Sequence, residues 1–336
     1  MLKVGLIGNG GIAVAHLKAY ARLFESGEVE VVAICDIRPE RLEKEYLGSF
    51  PNARTYKDAG EMLTKEAGLI DFVDVCTPTY LHAKHAIMAM KAGFHCICEK
   101  PMARSVAEGE EMLQASKEAG RLLMLGYCNR FFAGAQEIKR LIDERKYGRV
   151  ISADFRREGG SDIGSSWFRD FSLSGGATLD FHIHDVDMIR WMFGMPHSLS
   201  MVGGNRVTEG GGYDIMSVNF AYEDGMFVNA TCNWCVPNNR FNVRVIRVNF
   251  EHGYVYMERT AGREVFVLVP ESGEEINYSE DMIAFDAYYG EIKYFASVIR
   301  EGKALDYNRP AESLDSIRIV MAEIDSADRG GERISF

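Results

Sequence analysis

The sequence predicts an α/β fold in two domains. A doubly wound parallel sheet comes first, and an α/β domain around a mostly antiparallel sheet follows. Three observations carry this. Short apolar runs alternate with helical patterns over residues 1–126. The first run ends in a glycine-rich turn, GNGGIA, that opens the first helix. Beyond about residue 149 the runs alternate polar with apolar residues and are joined by hairpin signals.

The first strands are expected at 2–7 (LKVGLI), 29–35 (VEVVAIC), 70–76 (IDFVDVC), 94–98 (FHCIC) and 122–126 (LLMLG). Between them lie helical patterns at Ala13–Phe24, Pro39–Tyr46, Ala59–Glu66, Tyr80–Ala92 and Val106–Ala119. Strands that read as continuous apolar runs are buried on both faces, as in a parallel sheet covered by helices. The later segments 214–222 and 226–234 alternate and meet at Asp224–Gly225, a hairpin signal. Segments 241–250 and 254–258 meet at His252–Gly253, and Glu264–Val269 is a further extended run. Helical patterns at 284–300 and 310–328 close the chain. The domains are expected at 1–126 and 127–336, with the C-terminal helix a candidate to pack back on the first.

The chain has 336 residues, enough for two cores. Its 49 acidic against 38 basic side chains give a net charge of −11, which disfavours nucleic acid and anionic membrane as partners. No apolar stretch reaches the roughly 18 residues of a membrane span. MLKVGLIG enters a strand directly, without a signal-peptide pattern, so a cytoplasmic protein is expected. The cysteines, Cys35, Cys76, Cys96, Cys98, Cys128, Cys232 and Cys235, are odd in number and mostly lie in apolar runs, which fits reduced, buried thiols. The C-x-x-C at 232–235 sits in a strand pattern and not at a helix start, so no metal or redox role is expected of it.

Gly8, Gly10, Gly11, Ile12 and Ala13 follow the first strand and open the first helix, matching G-x-G-x-x-A. The first glycine permits the turn, the second admits a pyrophosphate, and the small residue lets helix and strand approach. The helix N-terminus then offers its N–H groups to phosphate. The second strand ends Asp36-Ile37-Arg38. A carboxylate at Asp36 accepts from ribose hydroxyls and repels a 2′-phosphate, which favours NAD over NADP. Arg38 leaves NADP open, because a guanidinium there either stacks on adenine or holds a phosphate.

Thr77 and Pro78 follow the run at 70–76, and Glu99-Lys100-Pro101 follows that at 94–98. Both motifs fall at carboxyl ends of parallel strands, where such sheets bind ligands. Lys100 there neutralises a forming alkoxide or serves in proton transfer; the plain alternative is a surface lysine. Lys100–Pro101 is also a candidate cis peptide.

The order GNGGIA, CTPTYLH, AGFHCICEKP, GYCNRF and SGGATLDFHIHDVDMIRW resembles the Gfo/Idh/MocA family, named for glucose–fructose oxidoreductase, inositol dehydrogenase and a rhizopine-catabolism protein. The resemblance runs over nearly the whole chain. It implies an N-terminal Rossmann domain and a C-terminal domain with a large open sheet that forms homodimers or homotetramers. It implies NAD(P)-dependent oxidation or reduction of sugars, inositols and related polyols. It also implies cofactor contacts from the His82 loop, from Arg130, whose alternative is an interdomain ion pair, and from Trp167 and Arg169, with core packing as the alternative for Trp167.

Residues Gly175–Trp191 read as one helix, capped by Ser172 or Ser174. At 100° per residue, Asp180, His184, Asp187 and Trp191 fall on one stripe, beside an apolar stripe of Leu179, Ile183, Val186 and Phe193. Under the resemblance, Asp180 and His184 match the family's D-x-x-x-H pair at the nicotinamide. Histidine suits the proton released when an alcohol is oxidised, Asp180 orients the hydroxyl or the imidazole, and Lys100 stabilises the oxyanion. Lys100, Asp180 and His184 are thus the expected catalytic and substrate-binding residues, drawn from two domains that close on the ligand. His182 lies roughly 160° from His184, too far round for a shared metal, and is expected as a packed histidine. Arg156, Arg157, Trp234, Asn238 and Arg240 are candidates to face substrate. The resemblance leaves two further readings: an NAD-dependent glycosidase that returns its hydride, and a non-catalytic NAD-binding sensor.

Overall fold

A computed structural model describes residues 1–160, 166–236, 242–260, 263–277 and 286–336. They divide into two compact units, Met1–Phe131 with Asp286–Leu314, and Phe132–Phe285 with Asp315–Phe336.

The first unit is built on strands β1 (Leu2–Ile7), β2 (Val29–Cys35), β3 (Arg54–Tyr56), β4 (Phe72–Val75), β5 (His95–Glu99) and β6 (Leu123–Gly126). Their order is β3-β2-β1-β4-β5-β6, and every pair is parallel. The order reverses between β1 and β4, the switch point where such sheets open a crevice at their carboxyl ends. Helices α1 (Ala13–Glu25), α2 (Ala59–Lys65), α3 (His82–Lys91) and α4 (Val106–Ala119) connect the strands. Val4, Leu6, Ile34 and Phe72 of the sheet form one core with Leu17, Tyr20 and Leu23 of α1. Full burial on both sides explains why β1, β2 and β4 lack alternation.

Three features differ from the sequence reading. Pro39–Tyr46 is two short 3-10 turns, Pro39–Leu42 and Lys44–Tyr46, with no buried residue to anchor a longer helix. Strand β3 sits at the sheet edge, largely exposed, and so carried no apolar signal. The third concerns the boundary. Tyr127–Phe131 stay with the first unit, and so does 286–314, which holds helix α8 (Ala287–Glu301). Helix α8 packs on α1, with Phe295 edge-on to Phe72 at 5.6 Å.

The second unit contains a sheet of β7 (Val150–Glu158), β8 (Ser198–Gly204), β9 (Ile215–Ala221), β10 (Phe227–Asn233), β11 (Val243–Phe250), β12 (Gly253–Thr260), β13 (Arg263–Pro270), β14 (Ile276–Asn277) and β15 (Ile334–Ser335). The order is β14-β13-β12-β11-β7-β10-β9-β8-β15. Only β7 and β10 pair in parallel; the other neighbours are antiparallel. The Asp224–Gly225 hairpin forms as read, closed by the Tyr222 N–H donating to the Met226 carbonyl at 3.0 Å. Burial alternates along β9 and β10, so one face packs and the other stays open. The helices of this unit are α5 (Ala133–Asp143), α6 (Phe171–Ser174), α7 (Ile183–Phe193) and the part of α9 (Pro310–Asp328) beyond Leu314. Helix α5 was not read from the sequence. Its buried stripe is short, Ala135, Ile138 and Leu141 among charged neighbours.

Candidate active site

In the first unit the glycine loop is tailored to an anion. Gly8 has φ +95°, and a Cβ there would lie 2.7 Å from the Cys76 carbonyl oxygen, so only glycine lets the loop cross the end of β4. The outer side is clear: a Cβ on Gly11 would meet nothing within 4 Å, and one on Gly10 only the Arg41 guanidinium, at 3.2 Å. No side chain caps the N-terminus of α1. Free N–H groups, a positive helix end and open space above Gly10 and Gly11 fit a pyrophosphate.

Asp36 stands just beyond β2, as read. Its carboxylate accepts from the Asn9 N–H at 2.8 Å and the Arg38 N–H at 2.9 Å, tying the ribose end of the crevice to the glycine loop. Ile37 and the Arg38 side chain are exposed. The cation beside the carboxylate is Arg41, which sequence reasoning missed, with Nη1 3.5 Å from Asp36. If Asp36 accepts from the ribose, Asp36→Ala should weaken NAD more than NADP, because Arg41 is then left uncompensated for a 2′-phosphate. Titrating both cofactors checks this; equal losses would show that Asp36 only shapes the loop.

Lys100 is half-buried at the end of β5, and its peptide bond to Pro101 is cis. Its backbone N–H donates to Glu99 at 3.1 Å. The other Glu99 oxygen lies 2.8 Å from His16 Nε2, and His16 Nδ1 lies 2.7 Å from Asp74, which also accepts from the Tyr20 hydroxyl at 2.8 Å. Carboxylates accept only, so both His16 nitrogens donate and the ring is an imidazolium. Burial opposes that charge, but Asp74 and Cys76 outweigh it and hold His16 well above its ordinary value. His82 is buried, with Nδ1 2.8 Å from the Pro101 carbonyl and Nε2 2.8 Å from the Thr77 carbonyl. It staples the Thr77–Pro78 loop to the Lys100–Pro101 loop, and burial pushes its pKa down. The signals for this network were a histidine and a tyrosine on the core face of α1 and a lone aspartate inside an apolar strand. Such groups must find partners.

Glu291 of α8 adjoins this network. It is fully buried and neither carboxylate oxygen has a hydrogen-bond partner among the described residues. Burial, reinforced by the charge of Glu99, holds its carboxyl well above the ordinary glutamate range. The folded state then binds more protons than the unfolded one, so stability falls as pH rises above that range. Glu291→Gln should raise the melting temperature at neutral pH, because the amide has no carboxyl to be ionised in the unfolded chain and held protonated in the folded one. The gain should shrink toward acid pH. A lower melting temperature at neutral pH would contradict this.

In the second unit, Asp170 caps α6, accepting the Ser172 N–H at 2.9 Å, while the Ser174 hydroxyl accepts the Gly176 N–H at 2.9 Å. Of the two expected caps, Ser172 lies inside α6, two residues past its cap, and Ser174 is the one whose hydroxyl accepts an N–H at the glycines. Gly175–Trp191 is also not one α-helix. Thr178–His182 forms a π-helical turn and α7 starts only at Ile183. The wider turn breaks the 100° stepping, and the expected polar stripe does not survive whole. Asp180 is 9% exposed and His184 and Trp191 are half-buried, whereas Asp187 turns into the core and accepts from the Ser316 hydroxyl at 3.3 Å. Ile183, Val186 and Ile189 form the apolar face.

Several other expected contacts are internal. Arg130 is fully buried and paired to Glu312 at 2.6 Å, so an ion pair forms, within the first unit. Arg157 is fixed to Asp185 through two bonds of 2.8 and 2.7 Å, which corrects its reading as a group facing substrate. Trp234 is buried and stacks near Phe181 at 6.2 Å. Arg156 bonds to Glu158 on the open face of the sheet. Trp167 stacks on Phe168 at 3.9 Å and Arg169 is exposed. Asn238 and Arg240 lie outside the described residues.

Comparison with known proteins identifies the family. Residues 2–127 match the profile of an oxidoreductase family with an NAD-binding Rossmann fold, and residues 135–256 match the GFO/IDH/MocA C-terminal domain. The chain belongs to the Gfo/Idh/MocA family. Among its relatives, D-glucoside 3-dehydrogenase of Escherichia coli is 28% identical over 74% of this chain and 74% of its own length. The 2,7-anhydro-N-acetylneuraminate hydratase of the same organism is 35% identical over 49% of this chain. The chain spans less than half the length of that hydratase, 46%. The same architecture is seen in the WlbA dehydrogenase of Bordetella pertussis, a complex with NADH and UDP-GlcNAcA. It has a TM-score of 0.84 at 24% identity, covering 100% of this chain and 98% of that one.

Proposed function

We propose that this protein is an NAD-dependent oxidoreductase acting on a secondary alcohol, or the matching carbonyl, of a sugar, inositol or related polyol. The observation that carries it is the glycine loop: an uncapped helix end above an open Gly10–Gly11 face, with Asp36 tied to the same loop. Gly8 through Ala13 and Asp36 would hold the dinucleotide, with Thr77, Pro78 and Glu99 toward the nicotinamide. When bound, the nicotinamide supplies the acceptor or donor of a hydride. The chain's own residues handle the proton and the charge. His184 takes the hydroxyl proton, Asp180 orients the hydroxyl, and the Lys100 ammonium stabilises negative charge on the substrate oxygen. The relative named D-glucoside 3-dehydrogenase supports a sugar hydroxyl as the reacting group.

A second reading is a reaction without net redox change, favoured by the relative named as a hydratase. Incubating the protein with NAD and a panel of inositols, aldoses, deoxy sugars and uronic acids separates them. Reduced nicotinamide should accumulate with at least one polyol. Release of product from aryl glycosides, with no net change in cofactor, would replace the dehydrogenase reading by the second.

No helix of the described residues is long and apolar enough to cross a membrane. The free thiols, six of the seven buried, support a reducing, cytoplasmic setting. Val202, Ile215 and Phe227 lie exposed on β8, β9 and β10, on the open face of the sheet. That face is our candidate homo-oligomer surface. Light scattering should give a multiple of 37.7 kDa. A monomer would remove this assignment.

A further inference from the structure

Directly behind the Asp180–His184 segment lies a dry cluster of charges. His182, the last residue of the π-helical turn, is fully buried, with Nε2 3.4 Å from Glu323 of α9 and Nδ1 3.9 Å from Asp185 of α7. Arg157 of β7 grips Asp185 with two hydrogen bonds, and its guanidinium lies 5.4 Å from the ring of Phe181. Cys232 of β10 closes the cluster as a buried neutral thiol, its pKa pushed up by burial. Side-chain exposure of the four charged groups is 0–5%.

The charge count is what makes His182 matter. Arg157 neutralises Asp185. Glu323 is then left as a fully buried acid. Neither of its oxygens and neither His182 ring nitrogen makes a hydrogen bond among the described residues, so the 3.4 Å approach of Nε2 is the tie between them. Burial works against a charged ring, but Glu323 outweighs it and raises the His182 pKa. The pair also joins two elements that backbone bonds do not link: the turn that carries Asp180 and the last long helix. Ser316 of α9 makes the neighbouring tie to Asp187.

We propose that His182 is a positioning residue: clamped on Glu323, it holds the π-helical turn and thereby sets the relation of Asp180 to His184. It touches neither substrate nor cofactor in this account, which rests on the proposed role of those two residues. The wider turn carries His182 inward toward α9, while His184, in the first turn of α7, stays half-buried.

The test uses the full chain and the near-isosteric variant Glu323→Gln, with His182→Asn as a second variant should the first fail to fold. Hydrogen exchange of amides 178–186 reads the clamp, and kcat and KM on a polyol that the panel shows to be turned over read its consequence. Exchange should speed up and kcat should fall by up to about a hundredfold, the effect of an ångström-scale misplacement, with KM within about threefold. Combining the two substitutions should cost less than the sum of the single losses, because both act on one pair. Unchanged exchange overturns the proposal, and so does faster exchange with unaltered kcat. Should the wild-type protein turn over no polyol, the exchange result still decides the clamp, while the dehydrogenase reading fails separately.

Discussion

His184→Ala is expected to lower turnover at least about a hundredfold while leaving NAD binding and the fold intact. The reasoning runs from position to chemistry. His184 is the first-turn residue of α7 that keeps a half-open face, whereas its neighbours Ile183, Asp185 and Val186 are buried. A half-buried imidazole at this place is our proposed acceptor of the hydroxyl proton. Alanine keeps the helix, so the loss should fall on kcat. Near-normal turnover in a folded variant would remove the assignment of the base.

Lys100→Met should have an effect of the same order or larger, through a different term. Methionine keeps most of the length and apolar bulk and deletes only the charge. Stabilising an oxyanion by a fixed positive group contributes about 2.7–4 kcal/mol in comparable cases, or a factor of roughly 100–1,000 in kcat. The backbone around Lys100 is held independently of its ammonium, by the Glu99 carboxylate on its N–H and by the His82 staple on Pro101. NAD affinity should therefore change little, and the loss should not be rescued by raising cofactor concentration. If saturating NAD restored turnover, Lys100 would be a cofactor ligand and not a catalytic group.

The parts of this protein set by local pattern were legible in the sequence. The parallel strands of the first unit were visible because burial on both faces leaves continuous apolar runs. The Gly8–Ala13 turn was visible because its context was a strand followed by a helix. The antiparallel strands β9 to β13 were visible through alternation and their turn residues. What escaped notice depends on contacts far apart in the chain. Helix α8 reaches the first unit from some 160 residues beyond the end of β6, and nothing in its own amphipathic pattern names α1 as its partner. Glu323 and Glu291 look like ordinary surface glutamates on helices until the fold buries both. The π-helical turn was hidden for a related reason: a 3.6-residue period was imposed on Gly175–Trp191, but tertiary ties of His182, Asp185 and Asp187 decide which way each residue faces. Arg157 looked available for substrate because its surroundings read as a loop; it lies instead on β7, and the Asp185 carboxylate that claims it is 28 residues away in the chain.

The central claim is that a carbon-bound hydrogen of a sugar or polyol moves to the nicotinamide under the care of Lys100, Asp180 and His184. The most direct measurement uses carbon-deuterated glucose and inositols with NAD, followed by mass analysis of the recovered cofactor. Deuterium in the cofactor, absent with Lys100→Met, is the predicted result. Deuterium that remains in the product or exchanges into water, with no labelled cofactor at any stage, would contradict the claim.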